Sequence, residues 1–272
     1  MDNDNKTKMK LALGIEYNGA TYSGWQKQPG FLTLQGELEK ALSRIADHPI
    51  DIFCAGRTDA GVHATQQVVH FISSAQRDLK AWVFGTNVYL PPHIRVQWVK
   101  EMPDDFHARF SARARRYVYM ILNQSIHPAL YRQEITFEHR PLDESRMHEA
   151  AQCLVGEHDF SSFRSAACQS LSPFRSIDFI RIQRQGDLVI MDIQANAFLH
   201  HMVRNIAGVL LPIGYGERDP HWAYEVLKQR DRRAAGKTAS PNGLYLVQVH
   251  YDAKFDLRFE ARLPFFLSHL PH

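Results

Sequence analysis

At 272 residues, 44% of them hydrophobic and 22% charged, the chain has the balance of an ordinary soluble globular protein and the length for one large domain or two modest ones. A formal charge of only +3 excludes a general polycation, so a polyanionic partner would have to be met by a local basic patch. Cys54, Cys153 and Cys168 are odd in number and far apart, which suggests no disulfide framework and fits a reducing compartment. The polar start, Met-Asp-Asn-Asp-Asn-Lys-Thr-Lys, has no apolar signal region, and no apolar run approaches spanning length; a cytoplasmic protein with no membrane partner is expected.

The first eight residues read as a disordered lead. Leu11, Leu13, Ile15 and Tyr17 then alternate at period two, predicting a half-buried strand over Lys10 to Tyr17. Thr33 caps a helix in which Leu34, Leu38, Leu42 and Ile45 recur at helical spacing. Strands are predicted at Asp51 to Ala55 and Gln67 to Ile72, a short helix at Asp78 to Phe84, and a strand at Ile94 to Val99. The order is β-α-β-β-α-β.

The second half repeats it. Tyr117 to Ile121 predicts a strand, and Asp143 caps a helix carrying Met147, Ala150, Ala151 and Leu154 that stops at Gly156. Ile177 to Ile182 and Leu188 to Ile193 pair across Gln185-Gly186-Asp187, a hairpin signal. Helices follow at Phe198 to Ile213 and His221 to Gln229, then a closing strand at Leu244 to Val249. Two such units in tandem predict an α+β fold of two ferredoxin-like halves. The expected domains are 9–104, 105–256 and an apolar tail, 257–272, that packs along the surface or a partner.

The segment Cys54-Ala-Gly-Arg-Thr-Asp-Ala-Gly-Val-His63 leaves one strand and enters another, so Arg57 and Asp59 project from a loop held at both ends. Gly56 and Gly61 permit close approach of a ligand to the backbone. The same residues fit a plain turn equally well, with Asp59 bonding its own backbone. Arg109, Arg113, Arg115 and Arg116 lie in Arg-Phe-Ser-Ala-Arg-Ala-Arg-Arg-Tyr117, the mixture of guanidinium and aromatic groups that RNA binding uses; taken alone they fit a solvated linker better. The helix from Phe198 is apolar on more than one face. Its Arg204 either snorkels to water or meets an anion, for which Asp59 is the candidate. Gly236-Lys237-Thr238 lacks the earlier glycine of a phosphate loop, and the histidines show no metal-ligand spacing. Tyr22-Ser-Gly-Trp-Gln26 reads as a turn with no chemistry of its own.

Together these strings resemble the tRNA pseudouridine synthase A family. The resemblance rests on Tyr22-Ser-Gly-Trp-Gln26, Thr33-Leu-Gln-Gly-Glu37, Gly56-Arg-Thr-Asp-Ala-Gly-Val-His-Ala64 and Ala112-Arg-Ala-Arg-Arg-Tyr-Val-Tyr119. It continues through Gly156-Glu-His-Asp-Phe160, Phe198-Leu-His-His-Met-Val-Arg-Asn-Ile206 and Gly236-Lys-Thr-Ala-Ser-Pro-Asn-Gly-Leu244. It implies the pseudouridine synthase fold, in which the sheets of the two halves meet around an RNA-binding cleft. It also implies an isomerase without metal or cofactor, acting on uridines 38, 39 and 40 in the anticodon stem and loop of tRNA, and a homodimer with each tRNA lying across both subunits. Carried over by position, Asp59 is the nucleophile, Tyr117 stacks on the target uracil, Arg57 lies beside the flipped nucleotide, and Arg204 pairs with the aspartate. An RNA-binding module without chemistry, or a synthase for another RNA site, would keep the fold and change the outcome.

Overall fold

The computed structural model of the protein describes residues 8–264 and Leu267. They fall into two compact units. One holds the chain up to Arg113 together with Gln248–Arg262, and the other holds Ala114–Val247 together with residues from Leu263.

The first unit follows the predicted order: β1 (Met9–Tyr17), α1 (Leu34–Ala46), β2 (Phe53–Cys54), β3 (His63–Ser73), α2 (Thr86–Tyr89) and β4 (Ile94–Glu101). The sheet order is β4-β1-β3 with β2 on β3, all antiparallel, the pattern of a ferredoxin-like half. Because β1 is a central strand, Ala12 and Gly14 are buried as well as Leu11, Leu13 and Ile15, and the half-buried strand is covered on both faces. Thr33 caps α1 as expected, its hydroxyl accepting from the Gly36 amide at 3.3 Å. The helix predicted over Asp78 to Phe84 runs further. A π-helical stretch at Ala81–Gly85 leads straight into α2, anchored by the fully buried Trp82 and by Asn87, whose carboxamide takes both Val96 N and O at 2.9 and 2.8 Å.

The second unit contains β5 (Ala112–Asn123), β6 (Thr136–Glu138), α3 (Glu144–Ala151), β7 (Gly156–Asp159), β8 (Phe174–Gln185), β9 (Leu188–Ala195), α4 (Met202–Gly214), α5 (Trp222–Gln229) and β10 (Leu244–Tyr251). The order β10-β5-β9-β8-β7, with β6 parallel to β5, again gives the ferredoxin-like arrangement plus one edge strand. Asp143 caps α3 through the Arg146 amide at 3.0 Å, and Gly186 supplies the positive φ of the β8–β9 hairpin. The helix predicted from Phe198 begins four residues later, at Met202. The Asn196 carboxamide takes the amides of Ala197 and Ser176 at 2.7 and 3.1 Å, and His201 adopts a φ of 65°, so the chain turns before it winds.

The expected disordered lead lies outside the described residues except for Lys8, as does the tail from residue 265 apart from Leu267. Within the first unit the tail packs along the surface. Leu257 is buried, Phe259 stacks on Trp98 at 4.7 Å, and the Gln248 and Gln66 carboxamides donate to the carbonyls of Phe259 and Glu260.

Candidate active site

In the first unit the chain leaves the sheet after β2. Ala55 still donates to Val68 O at 2.8 Å, and β3 does not resume until His63. Between them the backbone turns at Gly61 (φ 80°), with Val62 N donating to Asp59 O at 3.2 Å. The turn reading is therefore right for the main chain. It is compatible with a chemical role, because the Asp59 side chain stays half-buried while Arg57 is exposed.

Thr58 fixes the loop from inside the unit. Its hydroxyl pairs with Tyr17 OH at 2.8 Å and its carbonyl accepts from Trp25 N at 3.0 Å. The segment around Tyr22-Ser-Gly-Trp-Gln26 thus has a function that sequence reasoning missed: it clasps the Asp59 loop. A Cβ on Gly19 would lie 1.9 Å from Val62 O, and one on Gly24 (φ +88°) would lie 3.1 Å from Thr58 O, so both glycines let two backbones touch. Gly19 N also donates to Nδ1 of the fully buried His63 at 3.1 Å, which leaves the ring proton on Nε2. The same segment feeds α1, through Leu34 N to Gly24 O (3.2 Å) and Gln35 N to Trp25 O (3.0 Å).

In the second unit Tyr117 sits in β5 opposite Ile193 of β9. It is buried, and its ring meets Phe198 edge-on at 5.2 Å. Arg204 lies in the first turn of α4 and is half-buried rather than fully so. Its Nε donates to Ala239 O at 2.9 Å, and Ala239 N returns a bond to Arg204 O at 3.1 Å. The guanidinium is near enough to Tyr119 to act on it. Burial pushes the Tyr119 hydroxyl's pKa up, while the Thr136 hydrogen bond and the Arg204 charge pull it back. Tyr119 OH in turn donates to Ser240 O at 2.9 Å, so β5 and the loop at 236–240 are joined at this point.

Three members of the arginine string, Arg113, Arg115 and Arg116, are part of β5, Arg109 precedes it, and the members divide. Arg116 makes a two-pronged pair with Asp192 at 2.8 and 2.6 Å, which raises its pKa, and Arg115 is buried, with Nη1 donating to Asn196 O at 3.0 Å. Arg113, its side chain 75% exposed, has only a loose contact of 3.5 Å with Asp252. Arg109 is exposed beside the ring of Phe110. Local sequence does not separate these cases, because the pairing carboxylate lies 76 residues away.

The chain matches the family model for tRNA pseudouridine synthase over residues 14–111 and 150–252. A tRNA pseudouridine synthase A of Pseudomonas aeruginosa is 57% identical over 263 residues, covering 96% of this chain and 92% of that one. The protein of the same name in Photorhabdus laumondii is 55% identical, covering 96% and 98%, and that of Coxiella burnetii 56% identical, covering 95% and 99%. Among solved structures, a Cbf5–Nop10–Gar1 complex overlaps 87% of this chain and 48% of its own at 12% identity, with a TM-score of 0.39.

Proposed function

The chain belongs to the tRNA pseudouridine synthase family, and we propose that Asp59 is the nucleophile with which it converts uridines 38, 39 and 40 of tRNA to pseudouridine. It is an isomerase acting on uridine in tRNA. The assignment to Asp59 is supported by a half-buried carboxylate on a loop whose backbone is fixed at Thr58 and Asp59. The reaction breaks the bond from N1 of uracil to the ribose, turns the ring, and forms a bond from C5 to the same ribose carbon. The C5 proton leaves and N1 gains one. Nothing is oxidised and no group is carried off, so the chemistry calls for no redox cofactor, and we assign neither cofactor nor metal.

A base within a stem must be flipped out first, at a cost of a few kcal/mol. Arg57 is exposed at the loop, where it suits the vacated space, and Tyr117 would replace the stacking the uracil loses. Arg204 is carried over from the family resemblance as the cation that would pair with Asp59. We place the enzyme in the cytoplasm as a homodimer bound to the anticodon stem and loop; the cysteines Cys54, Cys153 and Cys168, odd in number and far apart in sequence, suit a reducing compartment. The deciding experiment maps pseudouridine in tRNA from a strain lacking this protein. Loss at positions 38 to 40, restored by the wild-type gene, is expected; intact positions 38 to 40, or loss at another RNA site, would overturn the assignment.

The divided arginines give a further expectation. Arg113→Ala should reduce the slope of log affinity against log salt by about one for any tRNA, and leave the melting temperature unchanged. Arg116→Ala should instead destabilise the second unit by about 1–3 kcal/mol, because Asp192 loses a charged double hydrogen bond, and should leave the salt slope alone. Filter binding across a salt series, beside thermal melts, separates the two.

For Tyr117, phenylalanine should retain most RNA binding and activity, because the ring packs on Phe198 as before. Leucine should lose base placement, with stacking worth ~1–3 kcal/mol per base. A phenylalanine variant as inactive as a nucleophile deletion would mean that the hydroxyl takes part in proton transfer.

A further inference from the structure

We propose that Gln67 is a positioning residue, holding the Asp59 loop together with Tyr17; this rests on the reading of Asp59 as the nucleophile. In the β2–β3 ladder Phe53 faces His70 and Cys54 faces Val69, so the next pairs in register are Ala55 with Val68 and Gly56 with Gln67. The first of these is still bonded main chain to main chain, through Ala55 N and Val68 O. At the second, the Gln67 side chain replaces its backbone. Its Nε2 donates to Gly56 O at 2.6 Å and its Oε1 accepts from Gly56 N at 3.4 Å. A carboxamide carries the same donor and acceptor as a peptide group, and here it extends the ladder by one step from inside the unit. That step sets where the chain departs from the sheet, three residues before Asp59.

The remaining capacity of the carboxamide is also used. Oε1 accepts from Val68 N at 3.2 Å, and Nε2 reaches Tyr17 OH at 3.4 Å. Tyr17 OH meets the Thr58 hydroxyl, so Gly56 and Thr58 are both tied to one buried polar group, on either side of Arg57. Gln67 is fully buried and Tyr17 nearly so, which rules out water as a substitute partner of equal ease. A buried amide with four such bonds is costly to disturb. Its orientation is fixed, and with it the direction in which Arg57 and Asp59 leave the strand. The energetic role falls on the rate of reaction and not on RNA affinity, because neither group faces solvent.

Two variants test this in the full-length protein: Gln67→Met, of similar length without the amide, and Tyr17→Phe, which removes only a hydroxyl. Both should lower the single-turnover rate constant on tRNA, by on the order of 10- to 100-fold for a displacement approaching an ångström. The dissociation constant for tRNA should stay within about twofold in both. The double variant should be no slower than the worse single one, because both act through the same loop. Wild-type rate constants, a loss confined to the dissociation constant, or a loss that merely follows the unfolded fraction would each overturn the proposal. If Gln67→Met does not fold, Tyr17→Phe decides. Asp59→Asn, assayed alongside, keeps the two readings apart. An active asparagine variant sinks the nucleophile reading while slowed Gln67→Met and Tyr17→Phe still assign the hold on the loop; an inactive one beside wild-type rates in both sinks the hold alone.

Discussion

Asp59→Asn is expected to bind tRNA as the wild type does and to form no pseudouridine. Asparagine has the same shape, and the contacts that fix this stretch of backbone are made by other groups: Thr58 O to Trp25 N, Thr58 Oγ1 to Tyr17 OH, and Asp59 O to Val62 N. None of them needs the carboxylate, so the loop should keep its course. Asparagine cannot serve as the nucleophile, since its carboxamide is neutral and its lone pairs are delocalised. The loss in rate should be on the order of 10⁴-fold or more, roughly 5–6 kcal/mol of barrier. Affinity should come mainly from phosphate contacts, which exposed cations such as Arg113 are expected to make and this side chain is not. Single-turnover assays and filter binding on one preparation give both quantities. An asparagine variant within a few-fold of the wild-type rate would show that another group attacks the uridine.

The parts of the fold that could be read from sequence are those written in local chemistry. Thr33 and Asp143 cap their helices through the third amide onward, and the Gly186 turn joins two alternating strands, because each depends only on residues a few positions away. The start of α4 was misread. Phe198 to His201 carry helical spacing, yet the Asn196 side chain holds the amides of Ala197 and Ser176 and His201 is left-handed. The strands β6 and β7 are three and four residues long, too short for any period to show. At the candidate site, Arg57 and Asp59 stood out because glycines flank them between two strands. Their support did not. Tyr22-Ser-Gly-Trp-Gln26 contains no reactive group, and its role depends on contacts with a loop more than thirty positions on, such as Trp25 N to Thr58 O. Gln67 left little trace, being one of two adjacent glutamines in a strand that also carries His63, Thr65, His70 and Ser73. The stacking role given to Tyr117 came from the family resemblance; for Arg204 the apolar helix around it already left a choice between water and an anionic partner.

Gly208→Ala sets two effects of opposite sign against each other. Gly208 lies inside α4, where alanine is intrinsically better than glycine by about 1 kcal/mol, so propensity alone predicts a more stable protein. Against this, the added Cβ would lie 1.8 Å from Lys237 O and 3.4 Å from Ala239 N. The obstacle is backbone, and the backbone is tied down. Arg232 donates to the carbonyls of Ala235 and Gly236 at 3.1 and 3.0 Å, and to Thr238 Oγ1 and Asn205 Oδ1 at 2.9 and 3.1 Å. Thr238 Oγ1 also bonds Asn205 Oδ1 at 2.7 Å, and Asn205 is itself buried and anchored to Phe163 O. To make room, the loop must give up several bonds worth about 0.5–1.5 kcal/mol each, which exceeds the gain in propensity. A net loss of roughly 3 kcal/mol is expected, lowering the melting temperature by about 6–12 °C at 2–4 °C per kcal/mol. The functional consequence follows from the next contact along. Ala239 holds Arg204 by main chain and by guanidinium, so a loop pushed off α4 carries Arg204 with it. The fraction of Gly208→Ala that remains folded should therefore turn over more slowly than wild type at a temperature well below its melting point. A melting temperature at or above the wild-type value would show that the loop yields at little cost and that helix propensity decides at this position.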